Sequence, residues 1–160
     1  KKYYNIMNKI SNLGSNKKFI HDYVGINSRL DTIQASILIE KLKMLNLINK
    51  KRRNIAKFYS KNINNSKINK LIYSKSCVYH QYIILVKNRK RLIKILSKNR
   101  IPYGFHYPYS INKLHSLKKL FKGQKYPNAE RIGNECVSLP IDPNLSISDL
   151  KKITRVLNSF

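Results

Sequence analysis

From Leu30 onward the chain places apolar residues at Leu30, Ile33, Ile37, Leu38, Leu42, Leu45 and Ile48, and no other feature narrows its folds as much. Steps of three and four put these side chains on one face of an α-helix. The run lasts about five turns at 3.6 residues per turn, too long for an ordinary strand. Asn27 or Ser28 is available as its N-cap. A second helical stretch continues the spacing through Ile55, Phe58 and Tyr59.

The flanking segments supply the layer for this helix to cover. Tyr3, Ile6, Ile10 and Leu13 predict a helix over residues 1–13, and Gly14 stands where it would stop. Residues 15–26 read as a loop with a short extended piece, and Asn62–Lys70 loses periodicity and reads as a loop. Cys77–Val86 is rich in aromatic and β-branched residues and reads as a strand. Asn88 can cap a helix carrying Leu92, Ile93, Ile95 and Leu96, which Asn99-Arg100 ends before an extended segment at Ile101-Pro102. Short helices are expected near 113–121 and 127–136, then a short strand at Val137–Ile141. Ser146-x-x-Asp149 has the form of a capping box before a last helix with Leu150, Ile153 and Leu157 on one face. This order implies an α+β fold in which helices cover a small antiparallel sheet.

Charge is the strongest compositional signal. Lys and Arg number 33 against 7 Asp and Glu, a formal net charge of +26 in 160 residues. Taken alone this suggests nucleic acid, because Lys and Arg displace counterions from phosphate. Yet the positive residues are mostly Lys, spread over the whole length and mixed with Asn and Ile, as in Asn62-Ile63-Asn64-Asn65-Ser66-Lys67-Ile68-Asn69-Lys70. An AT-rich coding sequence enriches those three residues together, which favours coding bias over a nucleic-acid footprint. No apolar stretch approaches the length of a membrane span. The opening residues have no signal-peptide pattern and no initiator Met, so the sequence is expected to come from a longer chain. Cys77 and Cys136 have no metal-ligand spacing and read as two reduced thiols of a cytoplasmic protein.

General catalytic motifs are missing. The sequence has no glycine-rich phosphate loop, no HExxH and no GxSxG. A buried inert thiol is the better reading of Cys136 than a nucleophile paired with a histidine. His80 reads as a half-buried sheet residue. His106, between Phe105 and Tyr107-Pro108, reads equally well as a pocket residue and as a structural one. Asn27-Ser28-Arg29 could form an anion site at a helix start, although residue chemistry alone favours a plain cap with a solvated Arg.

Val24-Gly25-Ile26-Asn27-Ser28-Arg29-Leu30-Asp31-Thr32-Ile33-Gln34-Ala35-Ser36-Ile37-Leu38 closely resembles the G-x-N-x-R-x-D-x-x-Q-A-A-I-L segment of the DegT/DnrJ/EryC1/StrS family of PLP-dependent sugar aminotransferases. The likeness runs on in order. Lys51-Arg52-Arg53 with Ala56-x-x-Tyr59 resembles the family's R-x-x-x-A-x-x-Y helix, and Val78-Tyr79-His80-Gln81-Tyr82 its central small-domain strand. His106-Tyr107-Pro108, Pro127-Asn128-Ala129-Glu130 and Ser138-Leu139-Pro140-Ile141 are similar to its later motifs.

The resemblance implies the small C-terminal domain of the aspartate-aminotransferase fold (PLP fold type I), with most of the large cofactor domain missing. Residues 1–26 would end the large PLP domain, 27–60 form the connecting helical segment and 61–160 the small domain. It further implies an enzyme that uses pyridoxal 5'-phosphate to move an amino group from L-glutamate to a keto group of a nucleotide-linked sugar, such as a 3-keto sugar, for cell-surface polysaccharide synthesis. The family's Schiff-base lysine and the aspartate that pairs with the pyridinium nitrogen match positions upstream of residue 1. No lysine here is therefore assigned as catalytic, and this portion alone is not expected to transaminate. Two subunits share each active site in the family, so a homodimer or a complementing upstream half is the expected partner.

Asn27 resembles the asparagine that reaches the PLP phosphate of the other subunit. Arg29 is expected near anionic substrate or cofactor groups, and His106 and Tyr107 at the sugar side of the cleft. The chain departs from the family at Ser36, where Ala is usual, and at Asn112, where the family has a histidine that contacts sugar. Asn112 can hydrogen-bond there but cannot carry a proton. The rival readings are a non-catalytic remnant or interaction protein, and a basic nucleic-acid-binding module whose Lys and Arg would gather on one folded face.

Overall fold

The computed structural model describes residues 2–117 and 119–160, and the chain divides into two compact units, Lys1–Leu45 and Asn46–Phe160. In the first, helix α1 (Lys2–Ser11) is followed by an antiparallel hairpin of β1 (Ser15–Lys17) and β2 (Ile20–His21). The hairpin occupies the stretch read in the sequence as a loop with a short extended piece. α1 ends where Leu13 and Gly14 both take a left-handed backbone, with φ of 61° and 73°.

The segment from Ile26 to Ser28 is then laid back along the end of α1. Ile26 N–H donates to the Ile10 carbonyl at 2.9 Å, Leu13 N–H to Ile26 at 3.0 Å and Ser28 N–H to Ser11 at 2.8 Å. Asn27 pairs with Asn12 in an isolated antiparallel bridge. These bonds keep residues 26–28 extended, so the long helix α2 (Thr32–Asn62) begins four residues later than the capping residues suggested. Neither Asn27 nor Ser28 is its N-cap. From Thr32 the helix runs unbroken, joining the two helical stretches seen in the sequence.

The second unit holds the core. β3 (Asn69–Lys70), β4 (Tyr82–Leu85) and β5 (Cys136–Leu139) form an antiparallel sheet in the order β3-β4-β5, with Tyr82 opposite Leu139 and Leu85 opposite Cys136. Ile55, Ala56 and Tyr59 of α2, Leu92 and Leu96 of α3 (Arg89–Lys98), and Leu150, Ile153, Val156 and Leu157 of α5 (Ile147–Asn158) are buried in one cluster with Ile84 and Val137 of the sheet. The α+β class implied by the order of elements is the class observed. Both helix caps foreseen here are present. The Asn88 side chain accepts from Arg91 N–H at 3.2 Å, and Ser146 and Asp149 form a complete capping box.

α3 ends in a Schellman turn: Ile101 N–H donates to Leu96 at 2.9 Å and Arg100 N–H to Ser97 at 3.0 Å, with Arg100 at φ 55° where glycine is usual.

Two expectations fail for local reasons. Of the strand expected over Cys77–Val86, Tyr82–Leu85 alone is strand. Tyr79 lies at φ 53°, stacks on Tyr73 at 5.6 Å between ring centroids, and accepts a hydrogen bond at its hydroxyl from Ser74 N–H. Aromatic packing thus turns the segment before it can pair. His80 consequently lies outside the sheet and is exposed, contrary to its reading as a half-buried strand residue. Near 113–121 the chain forms two 3-10 turns, Ile111–Lys113 and His115–Leu117, in place of a helix, and position 118 lies outside the described residues. α4 (Pro127–Glu135) starts with Pro at its first position, as such helices favour.

Candidate functional site

Asn27 and Arg29 lie in the first unit, held there by a close backbone approach. A Cβ on Gly25 would sit 2.1 Å from Gly14 N and 2.5 Å from the Ile10 carbonyl oxygen. Only glycine permits that contact, which brings the following residues onto α1. The Arg29 guanidinium donates from Nε to Asn27 Oδ1 and from Nη1 to Asn12 Oδ1, both at 3.2 Å. Both partners are neutral amides, and among the described residues the ion pairs are Lys9–Asp22, Lys43–Glu40, Lys113–Glu130 and Arg131–Glu135. Arg29 therefore keeps an uncompensated positive charge. Asn27 is exposed, and with its Oδ1 bonded to Arg29 its amide nitrogen has no bond to a described residue. A fixed guanidinium beside a free amide N–H₂ is a donor set suited to phosphate oxygens. Because the segment is extended, these are side-chain donors and not the helix-start N–H groups that the sequence suggested.

The other expected residues belong to the second unit. His106 lines an open cleft of about 430 Å³ with His80, Gln81, Pro102, Tyr103, Gly104, Ser138 and Pro140 among its walls. Its Nδ1 lies 2.8 Å from Ser138 Oγ, and the ring packs edge-on against Tyr107 at 5.6 Å. Tyr107 is exposed, and its carbonyl accepts from the buried Cys136 thiol at 3.3 Å. Cys136 is thus a packed group, and both cysteines are free thiols. Asn112 does not face this cleft. Its amide donates to Glu130 Oε1 at 2.8 Å, while Lys113 Nζ lies 3.2 Å from Glu130 Oε2. The Asn112 bond, with Lys113 next, holds the Glu130 carboxyl below the usual range. One of the two Asn112 amide N–H groups is thus committed to the Glu130 carboxylate.

Sequence reasoning missed His80, Gln81, Gly104 and Ser138 as cleft residues. The left-handed turn at Tyr79 that frees His80 leaves no trace in composition. The pairing of Gly104 with Ser138, by N–H···O bonds of 3.1 and 2.8 Å, joins residues distant in sequence. Ser138 alone carried a signal, as a polar residue within an otherwise apolar strand. No described helix is long and apolar enough to cross a membrane.

The model of the DegT/DnrJ/EryC1/StrS aminotransferase family matches residues 1–158. The chain is 33% identical over 156 residues to the dTDP-3-amino-3,6-dideoxy-alpha-D-galactopyranose transaminase of Aneurinibacillus thermoaerophilus, covering 96% of this chain and 43% of that protein. It is 29% identical to the UDP-2-acetamido-2-deoxy-3-oxo-D-glucuronate aminotransferase of Pseudomonas aeruginosa, covering 94% and 42%. Among solved structures, a DegT DnrJ EryC1 StrS aminotransferase from Brucella abortus superposes with a TM-score of 0.80 at 27% identity, over 98% of this chain and 42% of that one. The chain spans less than half the length of these relatives.

Proposed function

This chain belongs to the DegT/DnrJ/EryC1/StrS aminotransferase family, and from that premise we propose that it is the C-terminal portion of an enzyme moving an amino group from L-glutamate to a keto group of a nucleotide-linked sugar. The named relatives that it resembles are transaminases of dTDP- and UDP-linked amino sugars, which makes a 3-keto nucleotide sugar the proposed acceptor. The observation that carries the reading is the Asn27–Arg29–Asn12 cluster: a cation without a carboxylate, beside a free amide donor, at the position of the family's phosphate-contact motif.

Pyridoxal phosphate, when bound, supplies an electron sink for the amine being moved. The residues of this chain bind and orient. Asn27 Nδ2 would donate to a phosphate oxygen of the cofactor held by the other subunit, and Arg29 would supply positive charge beside it. Its two amide partners hold the guanidinium without neutralising it, so the attraction to an anion is kept. His106 and Tyr107 contact the sugar. Asn112 lies outside the His106 cleft, so its amide would meet only a part of the nucleotide sugar that extends beyond it, and it moves no proton. Residues 1–26 are proposed to close the large domain, and the family's shared active site implies a homodimer or a complementing upstream half, working in the cytoplasm.

A chimera joining this chain to the preceding part of the A. thermoaerophilus transaminase tests the proposal. It is expected to take up pyridoxal phosphate, read by its absorbance, and to transfer nitrogen from L-glutamate to a 3-keto nucleotide sugar. Asn27→Ala is expected to weaken cofactor binding roughly tenfold, the equivalent of one charge-assisted hydrogen bond. A folded chimera that binds the cofactor yet aminates no keto nucleotide sugar would sink the reading.

A further inference from the structure

We infer that Ser138 and Gly104 position the His106 imidazole, so that Nε2 is the atom the cleft offers to a ligand oxygen. The inference rests on the reading of His106 as a nucleotide-sugar contact and adds what makes that contact definite.

Ser138 is 6% exposed, and its backbone is fixed on both sides. It lies opposite Ile83 in the sheet register, and its backbone N–H and carbonyl are both bonded to Gly104. Its hydroxyl therefore sits on a rigid support, 2.8 Å from His106 Nδ1. Gly104 supplies the space for the ring. A Cβ there would stand 2.9 Å from His106 Cε1, 3.5 Å from Nδ1 and 3.9 Å from Nε2. The imidazole thus lies over the bare Cα of Gly104, and any side chain would push it away from Ser138. With Tyr107 packed at its edge, the ring is held from three directions.

Nε2 is the nitrogen left over. It has no hydrogen-bond partner among the described residues, and it is not among their buried side-chain atoms that lack a hydrogen bond, which are Tyr82 Oη, Ser110 Oγ and Glu135 Oε2. Nε2 is therefore open to solvent, between the apolar walls of Pro102, Tyr103 and Pro140. A hydrogen bond made in such surroundings is stronger than one made in water. The Ser138 hydroxyl can donate to Nδ1 or accept from it, and in a neutral imidazole Nε2 takes the role opposite to that of Nδ1. Ser138 and Gly104 are positioning residues that act through His106.

Imidazole nitrogen NMR on the ¹⁵N-labelled chain tests this without cofactor or substrate. His106→Gln assigns the His106 signals among those of His21, His80 and His115. The wild-type chain is expected to show a hydrogen-bonded His106 Nδ1. Ser138→Ala and Gly104→Ala should each move the His106 nitrogen signals and leave the other three histidines in place, and Ser138→Thr should restore them. A wild-type His106 whose Nδ1 carries no hydrogen bond overturns the inference even where a variant fails to fold. So do folded Ser138→Ala and Gly104→Ala variants with unmoved His106 signals.

In the active chimera, Ser138→Ala is expected to raise KM for the nucleotide sugar roughly fivefold to tenfold, the loss of about one hydrogen bond, with kcat moved less. An unchanged KM beside moved imidazole signals overturns the assignment of Nε2 to the ligand. If the imidazole signals respond as expected in a chimera that aminates nothing, the aminotransferase reading has failed and the positioning of His106 stands.

Discussion

The two units spend their apolar residues in opposite ways. The second unit gathers a core: Ile84, Leu92, Leu96, Val137 and Leu157 are fully buried, and the buried hydrophobic residues among those described all fall between Ile55 and Phe160, although Ile72, Tyr107 and Leu120 stay exposed. In the first unit Ile33, Leu42 and Tyr3 are 77%, 67% and 78% exposed, and Gly14 is its one buried residue among those described. Yet the helical spacing at Ile33, Ile37, Leu38 and Leu42 is as regular as that at Leu92 and Leu96. Periodicity thus reports that a face is built to be covered, and not whether this chain covers it. A contiguous apolar surface of this kind marks an interaction surface. Under the proposed function it meets the large domain and the second subunit.

The sharpest test of the contrast makes the same substitution in both units. Leu96→Ala removes a fully buried side chain from the cluster of α3, α5 and the sheet, and is expected to cost about 2–5 kcal/mol. Leu42→Ala removes the same atoms from an exposed site and is expected to stay within about 0.5 kcal/mol. Urea unfolding of each variant measures both. A cost at Leu42 approaching that at Leu96 would mean that the first unit is covered in solution by another copy of the chain.

A smaller effect probes how the second unit joins its elements through polar groups. Arg89, at the start of α3, donates from Nη1 to the Gly133 carbonyl at 2.6 Å, near the end of α4, and its guanidinium lies 5.0 Å from the Phe105 ring centre. It satisfies a carbonyl at a helix end and places positive charge where the helix dipole favours it. Arg89→Ala is expected to cost about 1.5–3 kcal/mol, the range for a hydrogen bond to a charged group. Arg89→Lys should recover only part of this, since an ammonium lacks the planar face that packs on Phe105. The first unit offers a contrasting arginine. Arg29 bonds only exposed amides, so Arg29→Ala should change anion binding far more than stability.

Much of the second unit was legible in the sequence because its signals are local. Asn88, Ser146-x-x-Asp149 and the spacing of Leu150, Ile153 and Leu157 gave the starts and faces of α3 and α5, since a cap and its helix lie within a few residues of each other. What could not be read depends on distant partners. The hairpin of β1 and β2 needs no strong β-former, because backbone pairing around Gly14 holds it. The start of α2 was misplaced because Asn27 and Ser28 are good caps locally, yet Asn12 and Ser11 claim their backbone. The strand at 77–86 was overlong because its aromatic residues suit stacking as well as pairing. The site followed the same rule. Asn27, Arg29, His106, Tyr107 and Asn112 were named through motifs, whereas Ser138 and Gly104 became visible only when the chain brought them to His106.

The smallest effect concerns a helix start, where the two units differ again. α5 opens with its full capping box, whereas no acidic residue stands in the first turn of α2. The Ser146 hydroxyl and N–H both bond Asp149, and these bonds hold its carboxyl below the ordinary aspartate range. A carboxyl whose folded pKa is depressed stabilises the fold above its unfolded pKa, and that stabilisation is lost as pH falls through the folded value. Ser146→Ala removes the side-chain bond to Asp149 and the cap on Asp149 N–H, leaving the backbone bond. It is expected to cost about 1 kcal/mol near neutral pH, measured as a fall in Tm. The gap between variant and wild type should narrow as pH drops below the aspartate range, because protonated Asp149 no longer favours the box. A gap that stays constant into acid would assign the cost to the neutral cap bond alone. The same pH series on a variant at the start of α2, such as Thr32→Ala, should show no such narrowing.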